Sequence, residues 1–146
     1  MLNVSLPSGD RCFSSYKTHP WSGKGKPAKG STAAGAYQIL VGTWQEIFDK
    51  GLIELKGDLF SPTVQDRIAV MKLEERGVLH LIRTGCIREA LELKGPNGIL
   101  AVSSEWTSLP GGKENAHRLT ADKKPMDMAY FQTLFDKYLT EEKAKG

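Results

Sequence analysis

Ser31-Thr32-Ala33-Ala34-Gly35-Ala36-Tyr37-Gln38-Ile39-Leu40 sets a run of small residues and a glycine directly against an aromatic ring, an amide and an apolar segment. Small side chains let a backbone pass close to a ligand, and the Tyr and Gln that follow are then held in fixed places. From Tyr37 the apolar residues Leu40, Val41, Trp44, Ile47 and Phe48 recur at steps of three and four, which predicts an amphipathic helix. Gly51 ends it. A second helix is better punctuated, with Ser61 as N-cap, Pro62 at the first helical position and Gly77 after the last turn. Its inward face is expected to carry Val64, Ile68, Met71 and Leu73.

Beyond this pair, Val78 to Ile82 reads as an apolar turn ending near Gly85, followed by a helix over about 87–93. Gly95-Pro96-Asn97-Gly98 is a turn. Residues 99–106 predict a further helix leading to Trp106, and Leu109-Pro110-Gly111-Gly112 closes it. Phe131, Leu134, Phe135 and Tyr138 mark a last helix before a charged tail. No stretch alternates for long, so any sheet is small and the fold class is mainly α (α+β). One domain is expected over 1–146, with an irregular basic loop region over 1–30 and a helical body over 31–146. In the loop, Lys17, Lys24, Lys26 and Lys29 are interleaved with Pro20, Gly23, Gly25, Pro27 and Gly30, and Gly and Pro oppose both helix and sheet. A solvated linker and a flap over a polyanionic substrate fit this composition equally well.

The 146 residues are 40% apolar and 25% charged, an ordinary globular composition. No run approaches the roughly 18 apolar residues that span a membrane, and the first residues do not read as a secretion signal. Membrane insertion is not expected. The net charge of +3 suits an anionic polymer such as a bacterial wall. It does not point to nucleic acid, because no basic helix or basic–aromatic stripe accompanies it. Cys12 and Cys86 lack metal-ligand spacing and read as free, reduced thiols. His19, His80 and His117 are scattered, so no metal is expected, and no Gly-rich phosphate loop follows a strand. No cofactor is expected.

Carboxylates are the candidates for chemistry, since glycosidic bonds are normally cut by a positioned acid whose pKa is raised by partial burial. Glu46 lies off the apolar stripe, and Glu74 and Glu75 sit beside Arg76 at an exposed helix end. Glu105 adjoins Trp106 and a glycine-bearing loop, which makes it the one weak catalytic candidate. The competing role is a structural Glu paired with a backbone amide or a Lys. Tyr37 fits either a core ring with its hydroxyl satisfied nearby or a cleft residue. Gln38 offers a donor and an acceptor together, which suits sugar amides and hydroxyls. Trp44 and Trp106 offer faces for sugar stacking, although the position of Trp44 on the stripe also fits core. Ser31 and Ser108 read as loop or capping hydroxyls.

Five ordered motifs resemble those of one family. Phe13-Ser14-Ser15-Tyr16 with His19-Pro20 is similar to F-x-x-Y-x-x-H-P, and Ser31 to Leu40 to S-T-x-A-G-x-Y-Q-x-L. Phe60-Ser61-Pro62 with Gln65-Asp66 resembles F-S-P-x-x-Q-D, Glu75-Arg76-Gly77 resembles E-R-G, and Trp106 to Gly111 resembles W-A-S-L-P-G. The chain is thereby similar to the lambdoid phage endolysins, single-glutamate peptidoglycan lytic transglycosylases of lysozyme-like fold. The resemblance covers most of the chain.

The resemblance implies cleavage of the β-1,4 link between N-acetylmuramic acid and N-acetylglucosamine, with a 1,6-anhydro product and with one carboxyl group acting as acid and then base. It implies a glycan-binding cleft that includes Ser31, Thr32, Gly35, Tyr37 and Gln38, with Trp106 and Ser108 on a neighbouring wall. The implied partner is the peptidoglycan strand. The implied route is synthesis in the host cytoplasm without a signal peptide and action on the periplasmic wall. The family's catalytic Glu lies in an S-E-G-T-like segment ahead of F-x-x-Y. Here none of the residues before Phe13 is Glu, and Asp10 sits too close to Phe13 to replace it. The expectation is therefore a lysozyme-like fold that is N-terminally truncated, beginning downstream of the catalytic helix, and the alternative to a peptidoglycan-cleaving domain is a non-catalytic peptidoglycan-binding or decayed derivative. A second departure is a short insertion around Gly95–Gly98.

Overall fold

The computed structural model describes residues 2–3, 12–25, 30–54, 57–115, 119–120, 122–124 and 126–145. Asp10, Lys26, Pro27, Lys29 and His117 lie outside the described residues. Two short strands, β1 (Leu2–Asn3) and β2 (Cys12–Phe13), pair antiparallel with Leu2 opposite Phe13. The helices follow: α1 (Val41–Asp49), α2 (Pro62–Glu75), α3 (Leu79–Arg83), α4 (Ile87–Glu92), α5 (Ala101–Glu105) and α6 (Met128–Lys145). The mainly helical class holds, with a sheet too short to produce visible alternation in the sequence.

The helix ends follow the chemistry of their stop residues. Gly77 lies at φ 72°, and the Gly77 and Val78 amides donate back to the Glu74 and Leu73 carbonyls. This closing pair, with a left-handed residue after the last turn, satisfies carbonyls that would otherwise be orphaned. Gly51 and Gly85 end α1 and α3 with the same bonds. At the start of α2 the Ser61 hydroxyl accepts from the Val64 amide at 3.3 Å, as an N-cap should.

Two expectations are corrected. The first helix starts at Val41, not at Tyr37. Residues 34–39 form a tight turn instead, closed by a bridge in which the Ala34 and Ile39 backbones exchange both hydrogen bonds. The periodicity from Tyr37 fits a helix, but the Gln38 backbone at φ 51° cannot be part of one. The Val78–Ile82 segment is likewise no mere turn, because residues 79–83 close as the short helix α3.

The chain divides into two compact units, residues 1–70 and 71–146, with the division inside α2. In the first, Trp44, Ile47, Phe60, Val64 and Ile68 are buried, and two polar side chains, His19 and Gln65, are buried with them. The His19 ring meets Phe60 edge-on at 4.7 Å and Trp44 at 5.9 Å. The Trp44 indole N–H donates to the Leu59 carbonyl. Amides of Leu59 and Phe60 donate to the Lys17 and Tyr16 carbonyls, which ties the early segment of the chain to the approach to α2.

The second unit is aliphatic. α4 packs against α3, α5 and α6. Val78, Ile87, Ala90, Leu91, Ala101 and Val102 form its buried cluster, flanked by Leu73, Trp106, Phe131 and Phe135. No residue of α6 is fully buried, so that helix contributes a half-buried face only. Among the described residues no helix is long and apolar enough to cross a membrane.

Candidate functional site

The 31–40 segment is built from the inside outward. Gly35 lies at φ 77°, and a Cβ placed there would sit 2.2 Å from the Gln65 Oε1 and 3.2 Å from the Phe60 ring. Only glycine fits that position. The proximity has a purpose, because Gln65 Oε1 accepts from the Ala36 amide at 3.0 Å while its Nε2 donates to the Phe60 carbonyl at 2.9 Å. A side chain on α2 thus uses both ends of its buried amide, one accepting and one donating, and pins the crest of the turn.

The base of the turn is held by His19. Its Nε2 lies 2.8 Å from the Ile39 carbonyl, and its Nδ1 accepts from the Trp21 amide at 3.1 Å. A carbonyl can only accept and an amide N–H can only donate, so the ring is neutral with its proton on Nε2. Burial pushes the His19 pKa below its ordinary value, only partly opposed by the bond to Ile39. Ser31 and Thr32 complete the frame. The Ser31 hydroxyl accepts from the Ala33 amide at 3.1 Å, and the Thr32 hydroxyl accepts from the Val41 amide at 3.4 Å, serving the start of α1 where Leu40 has no capping side chain.

What this frame presents is Tyr37 and Gln38. Gln38 is exposed, with its left-handed backbone braced by its own Nε2 donating to the Gly35 carbonyl at 2.9 Å. A non-glycine residue in that region is uncommon and occurs where surrounding structure enforces it, often at ligand sites. The Tyr37 hydroxyl donates to Asp66 Oδ1 at 2.7 Å. That bond, followed by partial burial and the Asp66 charge, pushes the phenol pKa up to about 12.

A second glycine-bearing loop, residues 106–112, lies in the other unit. Trp106 ends α5 with its ring half-buried beside the aliphatic cluster. The buried Ser103 hydroxyl donates to the Pro110 carbonyl at 2.7 Å, and the Asn115 amide donates to the carbonyls of Ser108 and Met126. A Cβ at Gly112 would meet the Thr107 carbonyl oxygen at 2.2 Å. The expected site residues therefore fall into two groups. Ser31, Thr32, Gly35, Tyr37 and Gln38 share one turn, whereas Trp106 and Ser108 belong to this second loop.

Glu105 lies at the end of α5, directly before the second loop. Its Oε2 accepts from the Arg76 guanidinium at 2.6 Å, which joins the Glu75-Arg76-Gly77 motif to the end of α5. An acid for glycosidic cleavage must deliver a proton to the leaving oxygen. The geometry of Glu105 is that of an ion-pair partner. Glu46 pairs with Lys50 and Glu75 with Lys72, both near the surface. Among the described residues, no group of three His, Cys, Asp or Glu side chains is placed to hold a metal. Gln65 and His19 carry the turn yet escape a search for apolar periodicity. Their signal in the sequence was their place in the F-S-P-x-x-Q-D and H-P motifs.

The Endolysin family model matches residues 3–137. The chain belongs to the endolysin family. It is 38% identical over 104 residues to the endolysin of Escherichia phage lambda, covering 70% of this chain and 58% of that protein. It is 37% identical over 118 residues to the endolysin of Escherichia phage P2, covering 76% of this chain and 64% of the relative. The chain thus spans about three fifths of the length of these endolysins. Among solved structures it is similar to bacteriophage lambda lysozyme complexed with a chitohexasaccharide. The TM-score is 0.64 and the identity 32%, over 92% of this chain and 75% of that one. The fold is lysozyme-like.

Proposed function

We propose that this chain is the glycan-holding domain of a phage or prophage endolysin that acts on peptidoglycan in the periplasm. The substrate is the glycan strand, bound over Gly35, Tyr37 and Gln38 with Ser31 and Thr32 beneath; Trp106 and Ser108 are proposed as glycan contacts of the second loop in its own unit. The carrying observation is the 34–39 turn. A glycine there is sterically required, the turn is pinned by two buried polar side chains, and it presents an amide in a left-handed conformation. Support comes from the endolysin family match and from the lysozyme-like neighbour, which was solved with a chitohexasaccharide. Residues 1–146 are proposed to act as one domain, so a single calorimetric unfolding transition is expected.

The finer chemistry is cleavage between N-acetylmuramic acid and N-acetylglucosamine with a 1,6-anhydro product, one carboxyl group serving as acid and then base. The Arg76–Glu105 ion pair favours a second reading, in which this chain binds the wall without cutting it and Glu105 is structural. Cleavage products, and not binding, separate the two. Sedimentation with sacculi is expected under both readings. Clearing of outer-membrane-stripped Gram-negative cells with release of anhydro-muropeptides identifies the cutting enzyme, and Glu105→Gln is then the first carboxylate substitution to test. No retention on sacculi would defeat both readings.

A further inference from the structure

The Ile39 carbonyl closes the ligand turn by accepting twice. One donor is the Ala34 amide at 3.0 Å, which forms the bridge, and the other is His19 Nε2 at 2.8 Å. The opposite ring nitrogen, Nδ1, accepts from the Trp21 amide. That amide opens a short turn in which the Ser22 and Lys24 amides donate to the His19 and Trp21 carbonyls. One neutral imidazole thus ties the Trp21 turn to the closing atom of the ligand turn, 20 residues further along the chain. We infer that His19 is a proton-operated clamp on the glycan site: the neutral ring holds the 34–39 turn in its binding shape, and a second ring proton releases the turn and weakens binding. The inference rests on the glycan reading above and adds a regulation of that same site.

A proton on Nδ1 would meet the Trp21 N–H donor against donor, so that bond cannot survive it. Nor does the charged ring find compensation where it stands, since His19 is 0% exposed. The turn offers it the Ile39 carbonyl, α1 the Trp44 ring and the approach to α2 the Phe60 ring, none of them charged. The charged residues of these elements are Lys17 and Lys24 on its own segment, Glu46 and Asp49 on α1, Asp58 ahead of α2, and Asp66 and Arg67 on α2. All of them are exposed. Tyr37, the titratable residue of the turn, keeps its phenol proton far above neutral pH. A buried charge without a partner has to reach water. To do so the ring must leave the Ile39 carbonyl as well, and the turn loses its second donor. By reciprocity, a ligand that favours the closed turn favours neutral His19. A histidine with a structural role alone would stabilise the unit, but its titration would not respond to a sugar on the turn.

The probe is fully N-acetylated chitohexaose, which carries no group that titrates in the range used. Its affinity for the wild-type chain is measured calorimetrically from pH 7.5 downward, while far-UV circular dichroism follows the helices. The His19 ring is titrated by NMR of its ring carbons, with and without the sugar. Affinity is expected to fall about fivefold from pH 7.5 to the acid side of the His19 titration, the low end of couplings between sites. The helical signal should stay unchanged. The same factor must then appear as a drop of about 0.7 in the pH at which His19 titrates when the sugar is saturating. His19→Gln has no ring to protonate and should bind with one affinity throughout. Exposed His80 lies on α3 in the other unit, and His80→Gln should leave the fall intact. Should His19→Gln fold poorly, the sugar-dependent titration of the wild-type ring decides alone. Constant wild-type affinity, a His19 titration that the sugar does not move, or a fall that persists in folded His19→Gln would each overturn the inference while leaving glycan binding intact. Loss of the helical signal together with the His19 titration would also overturn it, because the unit would then be unfolding and not the turn opening. If the wild-type chain does not bind chitohexaose at pH 7.5, the glycan reading fails and this inference falls with it.

Discussion

The 31–40 turn and the 106–112 loop look alike in composition but are held in opposite ways. The turn is fixed by residues remote in sequence, with Gln65 acting 29 residues away and His19 acting 20 away. The loop is fixed locally, with Ser103 and Asn115 each bonding a carbonyl 7 residues away. The surroundings differ as well. Buried polar and aromatic rings support the turn, and an aliphatic cluster supports the loop. The shape of the turn is therefore a tertiary property that is lost when the first unit loosens. The loop carries much of its own scaffold.

The sharpest way to break this contrast is at Gly35. Gly35→Ala sets a Cβ into the Gln65 amide at positive φ and is expected to cost about 4 kcal/mol by urea denaturation, from overpacking added to the left-handed penalty. Gly98→Ala is the matched control. Its φ of 75° is nearly the same, but a Cβ there meets nothing within 4 Å, and about 1 kcal/mol is expected. Similar losses at the two positions would show that Gln65 does not enforce the turn. In the aliphatic unit, Leu91 is 1% exposed, and Leu91→Ala should cost about 3 kcal/mol through transfer and cavity terms. That loss should be the same at pH 7.5 and 5.5.

The first unit should instead respond to pH. Since burial holds the His19 pKa below 6.5, the unfolded chain takes up that proton first as pH falls. The contribution of neutral His19 is complete above 6.5 and is lost progressively below it. The wild-type urea midpoint is expected to be lower at pH 5.5 than at 7.5, with a smaller drop in His19→Gln. Equal wild-type midpoints would refute this. The least effect is expected at the surface. Lys145→Ala breaks a pair with Glu142 whose side chains are 70% and 68% exposed, so a change of less than about 0.5 kcal/mol should follow.

Much of the helical frame was legible because helix ends have local chemistry. Ser61, Pro62 and Gly77 bound α2, and the Gly95–Gly98 turn lies where its residues place it. The start of α1 was not legible. The apolar spacing from Tyr37 is blind to Gln38 turning left-handed and to the Ala34–Ile39 bridge, both imposed by distant partners. Periodicity counts only apolar positions, so buried Gln65 and His19 were invisible to it. The two-residue strands were too short to alternate. At the site, the types of residue at 35, 37 and 38 pointed to a ligand turn. The bonds from Asp66, Gln65 and His19 that shape it depend on three-dimensional proximity.

The ring proton of His19 gives this chain a built-in reporter. It is buried, sits on Nε2 and is bonded to the Ile39 carbonyl, so its exchange with solvent must be slow. Such a proton resonates far downfield of the backbone amides, in a part of the proton spectrum with little else in it. A single peak there can be watched without labelling during denaturation, acidification or addition of wall fragments. Its disappearance marks the moment at which the base of the 34–39 turn opens.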